Sequence, residues 1–78
     1  MSAEKELEKI AFNRMDFNGN QRTEAIIQLA DYVPSAEAVR ILSKIAHDRM
    51  NFDDEMRKLA IRALGGIKKP SKFRLSVE

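Results

Sequence analysis

LEKIAFNRMDF at residues 7–17 returns as LSKIAHDRMNF at residues 42–52. The second copy lies 35 residues after the first, and the match runs on to Leu29 and Leu64 with 11 of 23 aligned pairs identical. Eight of these pairs are Leu7/Leu42, Ile10/Ile45, Ala11/Ala46, Phe17/Phe52, Arg22/Arg57, Ala25/Ala60, Ile26/Ile61 and Leu29/Leu64. The other three are Lys9/Lys44, Arg14/Arg49 and Met15/Met50. A self-match at such a period marks a repeat architecture, in which neighbouring units stack and share a core that neither could bury alone.

The spacing inside each copy is helical. Leu7, Ile10, Ala11 and Met15 fall at i, i+3, i+4 and i+8 on one stripe. Ser2 is placed to cap this first helix, Glu4 and Glu6 suit its positive end, and it should stop near Asn13–Met15, before the polar turn DFNGN. Phe17, repeated as Phe52, reads as a plug folding back onto the core. A second helix is predicted from about Asn20 to Tyr32, with Ala25, Ile26, Leu29 and Val33 inward and Pro34 as its stop. Ser35 caps a third, AEAVRILSKIAHDRM (36–50), whose inner stripe is Ala38, Leu42, Ile45, Ala46 and Met50. Val39 and Ile41 widen that stripe, as expected of a helix buried on two sides. A fourth starts after Asp53 with Met56, Ala60, Ile61 and Leu64 inward, and Gly65–Gly66 close it.

Those residues resemble HEAT-like repeats, in particular the phycobilisome-lyase type. The likeness rests on Arg22, Ala25, Ile26 and Leu29, then Glu37, Ala38, Val39, Leu42, Ile45 and Ala46, then Arg57, Ala60, Ile61, Ala63, Leu64 and Gly65. The resemblance implies an all-α fold: a right-handed α-α superhelix of about four helices, two hairpins in the order B-A-B-A. It also implies that the B helices line a concave, ligand-facing side and that Arg22 and Arg57 join ladders with acidic residues. The expected organisation is a repeat domain over residues 1–67 and a basic, extended tail over 68–78. In that tail Phe73, Leu75 and Val77 alternate with Arg74, Ser76 and Glu78, the period of a strand. The initiating Met1 and the short tail favour a whole gene product over a fragment.

Composition narrows the class. Seventy-eight residues make one domain near the lower limit for a single apolar core. There is no cysteine, hence no disulfide and no thiolate metal site. The N-terminus has no apolar leader, and no segment approaches the roughly 20 apolar residues of a membrane span. A cytoplasmic protein is the expectation. The net charge of +2 is uneven: ten Lys/Arg and eleven Asp/Glu lie up to Gly66, and Lys68, Lys69, Lys72 and Arg74 against Glu78 lie beyond it. A near-neutral body argues against a broad phosphate-tracking surface.

No arrangement of residues calls for catalysis. His47 is the only histidine, and its counterpart is Phe12. DFNGN at 16–20 has its glycine at the fourth position where a calcium loop needs the sixth, so it reads as a turn. Asp53, Asp54 and Glu55 are consecutive and cannot share a helix face, so they read as a helix start. Neither an enzyme, nor a cofactor or metal, nor a small-molecule substrate is expected.

What remains is surface. The outward B-helix positions are Lys5, Glu8, Lys9, Phe12, Arg40, Ser43, Lys44 and His47. Candidate partner-binding residues are Lys5, Lys9, Phe12, Arg40, Lys44 and His47, together with Phe73, Arg74, Leu75 and Val77 of the tail. The expected function is a non-enzymatic protein-interaction module, docking a protein partner or forming a homodimer through the fourth helix and tail. Nucleic-acid binding through the basic tail and service as an accessory subunit of an enzyme are the alternatives.

Overall fold

The computed structural model describes residues 2–66. They form four helices: α1 (Ala3–Phe12), α2 (Gly19–Ala30), α3 (Ala36–His47) and α4 (Asp54–Gly65), with no strand among the described residues. The chain is all-α, as the periodicity predicted. The tail over 68–78, with Phe73, Arg74, Leu75 and Val77, lies outside the described residues.

Each helix start is written in one or two side chains. Ser2 accepts the Lys5 N–H at 3.1 Å, and Asp53 accepts that of Met56 at 2.9 Å. Asn18 and Gln21 form a reciprocal capping box, each side chain accepting the other's backbone N–H at 2.9 Å. Ser35 accepts the Ala38 N–H at 3.2 Å while its hydroxyl donates to Glu4 at 2.9 Å, so one residue starts α3 and ties it to α1. Caps of this kind are worth about 1 kcal/mol each. Gly66 closes α4 in a right-handed conformation (φ −62°), not the left-handed one that a terminal glycine permits.

The helix ends correct the expected stripes. α1 stops at Phe12 and α3 at His47, three residues short of Met15 and Met50. Asn13 Oδ1 accepts the N–H groups of Met15 and Asp16, both at 3.1 Å. Asp48 Oδ1 does the same for Met50 and Asn51, both at 3.0 Å. These side-chain-to-backbone bonds replace the next helical turn. The chain leaves the helix axis, and Met15 and Met50 are 93% and 86% exposed instead of lying in the core.

α1 pairs with α2 and α3 with α4. The two hairpins stack with α2 against both α3 and α4, and α1 against α3. Ile26, Leu29, Ile41, Leu42 and Ile45 are fully enclosed between them. Ala11, Ala25, Ala38 and Ala60, also buried, let the helices approach closely. Ile41, predicted only to widen the α3 stripe, is among the most deeply buried residues, because α3 has neighbours on three sides.

Candidate functional site

The side chains repeated in both copies fall into two sets. One set is structural and meets at the junction between the hairpins. Phe52 is buried, its ring edge-on to Phe12 with centroids 5.1 Å apart, and the Arg22 guanidinium lies 4.9 Å from its centroid. Arg22 is the sole buried charge among the described residues. Its Nε donates to the Ala11 carbonyl at 2.8 Å, and a terminal nitrogen donates to the Asn51 carbonyl at 2.5 Å. Those carbonyls belong to the end of α1 and to the α3–α4 loop, so the arginine clamps one hairpin onto the next. Burial pushes its pKa below the ordinary arginine value, with the nearby Arg14 charge adding to this and Asp53 and Asp48 opposing it. The acidic ladder implied by the resemblance is replaced here by backbone carbonyls, which need no second buried charge.

Arg57, the counterpart of Arg22, has no hairpin after it among the described residues. It pairs instead with Asp54, one turn earlier, and its buried Nε is left without a hydrogen-bond partner. Phe17, the counterpart of Phe52, is only half-buried, since no hairpin precedes it to supply an aromatic or an arginine. The plug reading holds for Phe52 and only partly for Phe17.

The second set is exposed: Lys9/Lys44, Arg14/Arg49 and Met15/Met50. With Phe12 and His47 they occupy the C-terminal ends of α1 and α3. An open groove of about 700 Å³ is lined there by Phe12, Lys44, His47, Asp48, Arg49 and Met50. A neighbouring cleft of about 480 Å³ is lined by Phe12, Asn13, Arg14 and Met15, so Phe12 is the wall common to both. Arg14 reaches across the hairpins to donate to Asn51 Oδ1 at 3.2 Å.

The candidates named from sequence divide accordingly. Phe12, Lys44 and His47 come together in the groove. Phe12 is half-buried rather than fully outward, because it faces Phe52. Lys44 lies 5.1 Å from the Phe12 ring centroid and pairs with Glu8 at 3.0 Å. Arg40 pairs with Glu8 at 3.2 Å and with Glu37. Burial alone would raise the Glu8 pKa, but hydrogen bonds from Lys44 and Arg40 and their charges outweigh this and hold it below the ordinary value. Lys5 and Lys9 are exposed on α1, away from the groove lining. Met15, Met50, Arg14 and Arg49 were not among the candidates. The signal was present: an Asx residue at 13 and 48 ends each helix just before an Arg–Met pair.

Among the described residues no group of three His, Cys, Asp or Glu side chains is placed to hold a metal ion, and no helix is long and apolar enough to cross a membrane. Comparison with protein-family models, with curated proteins and with solved structures returned no match to this chain.

Proposed function

We propose that this chain is a non-enzymatic protein-interaction module, a pair of HEAT-like hairpins working in the cytoplasm, that docks a polypeptide partner at the α1/α3 end. One observation carries the reading. Met15 and Met50 stand in solvent at matching places in both copies, each beside an exposed arginine, and neither methionine is packed in the core of the described residues. Two exposed methionines in adjoining clefts that share the Phe12 wall are out of keeping with a surface that only meets water. Methionine is unbranched and polarisable, so it moulds to varied apolar partners. Lys44 and Arg49 line the groove and Arg14 the neighbouring cleft, which fits an apolar segment flanked by acidic residues.

The test is affinity capture from the native cell with the intact chain and with Met15→Glu/Met50→Glu. Both side chains are exposed, so the double variant keeps its helix content and melting temperature. Loss of a captured protein by that variant, and its retention by a Lys5→Ala control, is the expected result. Equal capture by both variants would sink the reading. Salt-sensitive binding of generic duplex or single strands, undiminished in the double variant, would move the assignment to nucleic acid.

A further inference from the structure

The junction between the hairpins is a contact of which both sides are visible. Arg22, Ile26 and Leu29 of α2 form one side, and Leu42, Ile45 and Phe52 of the second hairpin form the other; all six are buried. Each side has an identical copy at an open end of the same chain. Arg57, Ile61 and Leu64 repeat the first side on α4, where Ile61 is 56% exposed and Leu64 half-buried. Leu7, Ile10 and Phe17 repeat the second side, half-buried, in an apolar cleft of about 260 Å³ rimmed by Gln21, Glu24 and Gln28. The difference in exposure between copies marks what a neighbouring hairpin covers.

We infer that the α4 end face of one copy seats on the Leu7/Ile10/Phe17 cleft of a second copy, so that chains stack head to tail by the operation that stacks the two hairpins. The occupant of each end is the surface already seen to fit its identical counterpart. A like-with-like contact would set Ile61 against Ile61 and Lys58 against Lys58, and would leave the cleft at the first hairpin open. Because the two mating surfaces differ, the contact is heterologous and each addition exposes a fresh end.

Transposing the junction by 35 residues gives the contacts between copies. Arg22 lies 4.9 Å from the Phe52 ring centroid and donates to the Asn51 carbonyl; Arg57 would take the same place over Phe17 and the Asp16 carbonyl of the next copy. Arg57 is available for this, since it pairs only with exposed Asp54 and its buried Nε has no partner. Arg14 donates to Asn51 Oδ1 at 3.2 Å, and the transposed pair is Arg49 with the Asp16 carboxylate, an ion pair in place of a neutral acceptor.

Other positions weaken the contact relative to the junction. Ser43 replaces Glu8, so the pairs to Arg40 and Lys44 have no counterpart. Gln21 and Gln28 replace Met56 and Ala63, but their polar ends are engaged, Gln21 in the Asn18 capping box and Gln28 on Glu24 at 2.8 Å. Glu6 and Glu24 replace Ile41 and Leu59, and are opposite in sign to Lys58 and Arg62, exposed on α4. Two helices side by side offer a face roughly 18 Å long and 20 Å wide, so covering it buries on the order of 1,000 Å² in all. That is the low end for a specific interface, and with fewer apolar contacts it points to a dissociation constant of about 100 µM or more.

Sedimentation equilibrium of the full chain should give a weight-average mass that climbs above 8.9 kDa with concentration, without levelling at twice that value. Ile61→Glu blocks one end and Glu24→Arg/Gln28→Arg the other, all at exposed positions, so both variants keep their helix content. Each alone should stay monomeric. Their equimolar mixture should form a one-to-one pair that grows no further, because each supplies the end that the other lacks. Ile61→Glu should leave partner capture at the α1/α3 end intact, which separates this contact from the proposed docking site. A parent chain monomeric at about 500 µM, a mass that levels at the dimer, or a mixture no heavier than its parts would overturn the inference. So would association that appears only after removal of residues 67–78, which would assign the α4 face to the chain's own C-terminal residues.

Discussion

Phe52 and Phe17 occupy the same place in the two copies, and replacing each by leucine isolates what the junction contributes. Phe52 loses an edge-to-face partner, Phe12, with centroids 5.1 Å apart, a pair worth about 0.5–1.5 kcal/mol beyond its buried area. It also loses the Arg22 guanidinium 4.9 Å from its ring, which adds about 1 kcal/mol in a partly desolvated site. With the smaller volume of leucine in a closed core, Phe52→Leu should cost about 2–3 kcal/mol. Phe17 has neither contact among the described residues and lines a cleft open to solvent with Leu7 and Ile10, so its replacement should cost under about 1 kcal/mol.

A chain of 78 residues has a total stability of about 4–12 kcal/mol, so the difference is large on that scale. In domains of this size 1 kcal/mol moves the melting temperature by about 4–8 °C. Thermal unfolding followed by far-ultraviolet circular dichroism should place Phe52→Leu roughly 8–24 °C below the parent, and Phe17→Leu within about 8 °C of it. Equal losses would refute the reasoning. They would mean that the cleft holding Phe17 is closed as thoroughly as the junction.

Two further outcomes follow from the same comparison of copies. Arg22→Gln leaves the Ala11 and Asn51 carbonyls without their donors and should lower stability by about 2–4 kcal/mol in urea unfolding, against under about 1 kcal/mol for Arg57→Gln. Glu8 and Asp48 both have pKa values held below the ordinary carboxylate range, Glu8 against the pull of burial and Asp48 chiefly by the Asn51 side-chain and backbone donors. The stability they contribute is present in full above the unfolded carboxylate value of about 4 and is lost as pH falls through their lower folded values. Glu8→Gln should therefore flatten the acid limb of a melting-temperature profile below about pH 4 without changing its shape near neutrality.

The helices and most of their caps were legible because their causes are local. Ser2, Ser35 and Asp53 act on N–H groups three residues ahead, and an apolar stripe needs only its own spacing. Arg22 was not legible in that way. Its acceptors lie 11 residues back and 29 ahead, and nothing in its surroundings distinguishes a carbonyl clamp from an acidic ladder. Glu8 was read as one outward residue among eight, yet it is where Arg40 and Lys44 of the neighbouring hairpin converge. Met15 and Met50 were misplaced for a different reason. Helical spacing continues past Asn13 and Asp48, but those side chains hold the next backbone N–H groups and end the helix first.

Phe12 and His47 differ between copies, and from sequence alone that difference suits a face tuned for contact. Packing supplies a sufficient cause for half of it. Phe12 has a following hairpin, and its ring meets Phe52 from that hairpin. His47 has none among the described residues, so an aromatic there would find no ring to meet, and a polar residue is tolerated. The same logic sorts the other divergent positions: Gln21, Glu24 and Gln28 against Met56, Leu59 and Ala63 follow from which face is inside the stack. Divergence in this chain thus tracks position in the array. Identity at exposed sites is what position does not explain, and the methionines at 15 and 50 are such sites. A solvated helix end tolerates almost any polar residue, so an apolar one retained twice, each time beside a cation, is the feature on which the proposed docking site at the α1/α3 end rests.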